Sequence, residues 1–204
     1  MSESNGSLRN DQNPVLFDVQ QAEPCLGLLE LCSVARGVEV ADGLLKEAPV
    51  EVHFATPVQP GKYLVLFSGP VEAVVAAGRR GGELAGGDLV DRLHLPQAHP
   101  QLLVGLRRRG GVIQGALDAI GVIETSTVAS ALLAADLALK TANVDLLDLR
   151  VANGLGGKSF FTLTGEVSDV RAAVTAAARQ AEAAGHLLRQ VVIAQPHPEL
   201  VRHL

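Results

Sequence analysis

Tryptophan is absent from this 204-residue sequence, and aromatic residues together make up 3 % of it. A core without large rings has to be aliphatic, and the 48 % hydrophobic share consists chiefly of Ala, Val and Leu. Basic residues are not in excess: 17 Lys and Arg stand against 22 Asp and Glu, for a net charge of −5. The sequence therefore has no electrostatic footprint for nucleic acid. Its one positive run, Arg107-Arg108-Arg109, is too short to change that and reads as the solvated part of a linker. No apolar stretch approaches the ~18 residues that would span a bilayer, and even "VASALLAADLALK" is broken by Asp136. The opening "MSESNGSLRNDQNP" is polar and lacks the apolar centre of a signal peptide, so residues 1–23 are expected to form a flexible tail. Only two cysteines occur. Cys25 and Cys32 are spaced for neither a metal site nor a disulfide framework, and read as buried free thiols in a reducing compartment.

What the sequence does have is a repeat. "GLLELCSVARGVEVADGLLKEAPV" (27–50) aligns with "GVIETSTVASALLAADLALKTANV" (121–144) at an offset of 94, with ten of 24 positions identical. Glu30/Glu124, Asp42/Asp136 and Lys46/Lys140 are among the identities. "PGKYLVLFSGPVEAV" then matches "GGKSFFTLTGEVSDV" at 96, and "HPQL" matches "HPEL" at 98. The chain is a tandem duplication of a unit of about 80 residues.

Each unit has the same pattern of elements. "CLGLLEL" and "AIGVIET" are short apolar runs that suit buried strands. Val128, Leu132, Ala135 and Leu139 recur at helical spacing behind the N-capping residues Thr125 to Thr127. "VDLLDLRVA" and "KSFFTLTG" read as strands. A second helix spans roughly residues 168–184 and stops at Gly185, and "HLLRQVVIA" closes the unit as a strand. The order βαββαβ predicts an α+β, ferredoxin-like unit with an antiparallel sheet and two helices on one face. The Gly- and Arg-rich "LVGLRRRGGVIQGALD" reads as a linker, placed at 103–118 between domains at 24–102 and 119–204.

One stretch, "ANGLGGKS" (152–159), approaches the phosphate-loop pattern G-x-x-x-x-G-K-[ST]. A phosphate loop must run into a helix whose terminal amides hold the anion. Strand-like "SFFTLTG" follows instead, and the equivalent loop of the first unit, "TPVQPGKYL", keeps only Gly-Lys. The shared Gly-Lys therefore predicts a structural turn. Other constellations are weak as well. The six histidines form no H-x-x-x-H pair, and His99 and His197 each precede Pro at equivalent turns. Glu30 and Glu124 are read as carboxylates that cap the helix following each in sequence. No Ser-His-Asp arrangement is evident from spacing.

The motifs I-G-x-I-E-T, A-A-D-x-x-x-K-x-A-N-V, the G-[ED]-V helix start and Pro-His near the end occur in that order from Ile120 to His197. In this the sequence resembles the bacterial microcompartment (BMC) shell domain, closely in its second half and more loosely in its first. Two unpermuted domains in tandem resemble the single-layer trimeric class. The resemblance implies a non-enzymatic structural role in the bacterial cytoplasm: a homotrimer that imitates a hexagon, tiles with hexameric and pentameric shell proteins, and passes small polar metabolites through a central pore. It further implies tile-edge contacts by Lys46, Lys140, Asn143, Gln195 and His197, with Gln195 replacing an arginine common in the family. The pore would be lined by Gln59, Pro60, Gly61, Asn153, Gly154, Leu155, Gly156 and Gly157. Cluster-bearing members of the class carry a Cys before Pro-Gly-Lys. This sequence has Gln59 there, so the resemblance implies no iron–sulfur cluster, and no other cofactor or metal. Two further readings stand beside it: a ferredoxin-like trimeric ligand-binding or sensor protein whose Gly-rich loop holds an effector, and an enzyme that uses the Gly-Lys loop.

Overall fold

A computed structural model describes residues 25–107, 117–152, 154–201 and 203. The expected tail at 1–23 lies outside these residues.

The first unit runs β1 (Leu26–Leu31), α1 (Val34–Glu47), β2 (Glu51–Val58), β3 (Lys62–Ser68), α2 (Val71–Ala85), β4 (Leu89–Leu95) and α3 (Pro100–Arg107). The second repeats it: β5 (Ala119–Thr125), α4 (Val128–Thr141), β6 (Val144–Val151), β7 (Ser159–Gly165), α5 (Val167–Ala183), β8 (Leu187–Ala194) and α6 (Pro198–Val201). The two antiparallel sheets have matching orders, β2-β3-β1-β4 and β6-β7-β5-β8. Each unit is thus the expected βαββαβ.

The duplication extends to irregularities. Both edge strands slip register at the same repeat position, between Val52 and Phe54 and between Leu146 and Asp148. The central strands do so at Glu30/Leu31 and Glu124/Thr125. Helices α1 and α4 begin alike: Ser33 and Thr127 each accept, through the side chain, the N–H three residues on. Gly185, at φ +75°, ends α5 in the left-handed conformation that a residue without Cβ adopts at no cost.

The halves differ in what covers them. Leu29, Leu31, Val65 and Phe67 of the first sheet face its own helices, in a core with Val40, Leu44, Val74 and Ala77. The alternate residues, Leu26, Leu28, Leu64, Leu66, Leu93 and Leu95, point to the opposite face. There they join one core with Val128, Leu132 and Leu139 of the second unit's helix. Because α4 lies against the outer face of the first sheet, β1 is buried on both sides.

Two sequence expectations are corrected. The stretch read as a linker from residue 103 is helical to Arg107, because Leu102, Leu103 and Leu106 pack into the core of the second unit. Gly105 lies so close that a Cβ would come within 2.5 Å of Leu146 Cδ2. Cys32 is exposed, while Cys25 is buried as expected.

Candidate functional site

The two near-identical loops lie side by side. In the first unit, Val58 turns through Gln59, a cis Pro60 and Gly61, closed by Gly61 N–H donating to Val58 O at 2.9 Å. In the second, Ala152 accepts from Leu155 and donates to Lys158 O, at 3.4 and 3.1 Å. Ala152 itself is buried at φ +56°, held by these bonds. Lys158 precedes the strand β7, not a helix, so no dipole meets an anion there.

Gly157 is where the loops touch. A Cβ on it would sit 2.8 Å from Pro60 Cδ and 3.3 Å from Gln59 O, at φ +84°. Gln59, Pro60, Gly61, Gly154 and Gly156 are exposed, Leu155 is half-buried, and Gly157 is buried between the loops. Asn153 lies outside the described residues.

Behind the loops is a buried ionic knot. Lys62 Nζ donates to Glu30 Oε1 at 2.7 Å, to Ser126 O at 3.2 Å and to Gly157 O at 3.4 Å. Glu30 is fully buried, and its other oxygen accepts the Val128 N–H at 2.8 Å. The sequence predicts that Glu30 caps the helix that follows it. It caps α4 of the other unit instead, because β1 ends beside that helix's N-terminus. Burial pushes the Glu30 carboxyl upward, opposed by the Lys62 ammonium and the helix amides. Glu124 and Lys158 repeat this pair at 3.1 Å, but more exposed, and Glu124 caps no helix among the described residues.

Sequence reasoning missed a second cluster. Ser126 Oγ lies 3.0 Å from His186 Nδ1, and His186 Nε2 lies 3.6 Å from Asp91 Oδ2. The residue types are those of a hydrolytic triad, but the Asp91 oxygen already accepts from Thr127 Oγ1 at 2.6 Å. The aspartate belongs to the first unit and the others to the second, so the cluster fastens one unit to the other. The only sequence signal for it is that Ser126 and His186 flank β5 and β8, which are neighbours.

The expected edge residues divide in the same way. Lys140 pairs with Asp136 at 2.6 Å and also donates to Gln97 O of the first unit, while Asp136 accepts the His99 N–H at 2.8 Å. Lys46 and Asp42 form the same pair at 2.6 Å, fully at the surface. Asn143, Gln195 and His197 are exposed. His99 and His197 play one role twice, each accepting through Nδ1 the N–H two residues on, at the start of a short helix.

The donors present do not suit an iron–sulfur cluster. The loop offers the Gln59 amide, while Cys25 lies against His94 and Cys32 against Asp88. Among the described residues no group of three or more His, Cys, Asp or Glu could hold a metal ion. No helix of the described residues is long and apolar enough to cross a membrane.

A family model described as "BMC domain" matches residues 25–98 and again 119–196. The bacterial microcompartment shell protein PduT of Citrobacter freundii is 40 % identical over 179 residues, covering 88 % of this chain and 96 % of that protein. A crystal structure of a microcompartment protein from Desulfitobacterium hafniense DCB is 43 % identical with a TM-score of 0.75, over 87 % of this chain and 98 % of that one. A fused permuted hexameric shell protein from the RMM microcompartment shares the fold at 24 % identity, with a TM-score of 0.58 over 78 % and 81 % of the two chains.

Proposed function

This chain belongs to the BMC domain family, and on that premise we propose that three copies close head to tail into a six-unit tile of a bacterial microcompartment shell. The shell role itself is structural. Its relatives PduT and the D. hafniense protein match nearly end to end, and the two loops run into strands rather than into helix N-termini that would grip an effector phosphate.

One observation carries the trimer. The contact that joins the two units within the chain has both of its halves left over. On α4, Val128, Leu132 and Leu139 are buried against the first sheet; their repeat partners on α1, Val34, Val38 and Leu45, are 41 %, 55 % and 50 % exposed. On the receiving side, Leu28, Leu64, Leu93 and Leu95 are covered. Their counterparts Val122, Phe160, Val191 and Ile193 are partly or fully open. An apolar helix face and an apolar sheet face of matching shape thus remain at opposite ends of one chain. A second copy supplies both, and such a heterologous contact makes a ring if its rotation closes.

In that ring, loops 59–61 and 153–157 alternate around the axis. Exposed Gln59, Pro60, Gly61, Gly154 and Gly156 give a neutral, hydrogen-bonding lip suited to small polar metabolites. The tile holds no iron–sulfur cluster or other cofactor and catalyses no reaction. Lys46, Lys140, Asn143, Gln195 and His197 meet neighbouring hexameric and pentameric shell proteins in the bacterial cytoplasm.

Light scattering on the purified chain tests the closure, with three chain masses expected. Electron microscopy of a mixture with a hexameric shell protein tests the tiling. A monomer that enters no sheet would overturn the proposal.

A further inference from the structure

The contact within the chain and the one proposed between chains are built from repeat-equivalent positions, yet their charges differ. Four positions define the comparison. In the two sheets Glu30 pairs with Asp91 and Glu124 with Arg189, so Asp91 and Arg189 are equivalent. Cys32 N–H donates to Asp88 O and Ser126 N–H donates to His186 O, both at 2.9 Å, so Asp88 and His186 are equivalent.

Within the chain, the second unit presents His186 and the first unit receives it with Asp91, 3.6 Å apart, both side chains about three-quarters buried or more. Between chains the same superposition puts Asp88 of one copy against Arg189 of the next. The acid and the base have changed sides. The lengths are compatible as well: a short carboxylate replaces the incoming imidazole, and a long guanidinium replaces the receiving carboxylate. The hydroxyl at the seam fits both arrangements. Thr127 Oγ1 donates to Asp91, whereas its counterpart Ser33, which can accept, would face Arg189.

Asp88 is available for this contact. Its carboxylate is held from its own unit by Arg36 at 3.5 Å and by the Cys32 thiol at 3.6 Å, and its side chain stays 40 % exposed. Arg189 is exposed and has no ion pair among the described residues.

Resting on the trimer reading, we propose that Asp88 and Arg189 form the charge pair that selects the interface between copies, and that the exchange of signs enforces alternation of the two units around the ring. A first unit seated on another first unit would bring Asp88 against Asp91. A second unit seated on another second unit would bring His186 against Arg189. Only unlike units set an acidic side chain against a basic one, which is how interfaces reject wrong partners.

Sedimentation equilibrium on wild type, Asp88→Arg, Arg189→Asp and the double reversal tests this, with circular dichroism to confirm folding. Each single reversal is expected to raise the dissociation concentration at least about tenfold. The double reversal should return it to within about threefold of wild type. Trimeric single variants with unchanged dissociation, or a double variant no better than the worse single, would overturn the pair while leaving the trimer standing. A wild-type chain that is not trimeric would overturn both. Should a reversal fail to fold, Asp88→Asn and Arg189→Gln take its place. A several-fold weakening is then expected, and no change overturns the pair.

Discussion

The N–H of Val128 is capped by Glu30, a residue 98 positions earlier and in the other unit, at 2.8 Å. A helix of one domain is completed by a strand of its neighbour, so the seam between the units is part of the fold of each. Glu30→Ala leaves the Lys62 ammonium, which is 19 % exposed, without its partner at 2.7 Å, and leaves the α4 terminus uncapped. The expected loss is about 3 kcal/mol, the lower part of the range for breaking a buried pair. Glu124→Ala removes an exposed pair and should change monomer stability by under about 1 kcal/mol, while weakening assembly. Urea denaturation of the two variants, with m-values checked for constancy, gives the comparison. Equal midpoints would show that the seam does not hold the fold.

The exposed helix face gives an independent check. Val38→Asp puts a carboxylate on a position 55 % exposed in the chain, and should leave the monomer's melting temperature near wild type while abolishing the trimer. Leu132→Asp puts the same group at its fully buried counterpart. A cost of several kcal/mol is expected there, on the order of a buried cavity plus an unpaired charge. If both variants behave alike, the two faces are not used differently.

That pair of positions also marks what could be read in advance. The repeat, the element order and the turn at Gly157-Lys158 were legible because they depend on local periodicity and on residues at short range. Which unit supplies each side chain's partner was not. Val38 and Leu132 are equally apolar and equally spaced, and nothing local says that only the second is covered within the chain. The sequence identifies Glu30 as a cap but points to the wrong helix, since only the docking of α4 on the first sheet places it beside β1. Ser126, His186 and Asp91 are brought together only by the pairing of β5 with β8 and the docking of one unit on the other. Residues 103–107 of α3 read as linker because Gly105 and Arg107 outweigh Leu103 and Leu106, which pack on the second unit. The two Gly-Lys loops stand out in the sequence, but their mutual contact through Gly157 does not.

Two glycines of one loop separate that contact from backbone strain. Gly154, at φ +72°, has open space where a Cβ would be, so Gly154→Ala should cost about 1 kcal/mol from conformation alone. Gly157→Ala adds a Cβ 2.8 Å from the Pro60 ring and should cost about 2 kcal/mol or more, because ring or loop must shift. Thermal unfolding of the two variants reads the difference. A Gly157→Ala variant no less stable than Gly154→Ala would mean that the loops are not in contact.

The last prediction concerns His53, at the slipped register position of β2. Its ring is nearly buried, with Nε2 2.7 Å from Ser68 Oγ and Nδ1 3.9 Å from Glu51. Burial lowers its pKa below 6.5, and Glu51 only partly opposes this. The neutral ring is therefore favoured by the fold. As pH falls through about 6.5 the unfolded chain takes up a proton that the folded chain resists, so stability present above that pH is lost below it. The repeat counterpart of His53 is Leu147, which does not titrate, so this pH term belongs to the first unit alone. His53→Gln keeps an amide that can reach Ser68 and removes the titration. Between pH 7.5 and 5 the wild type should lose more stability than the variant does. Urea midpoints at the two pH values measure it, and parallel losses in both proteins would assign the acid sensitivity to other groups.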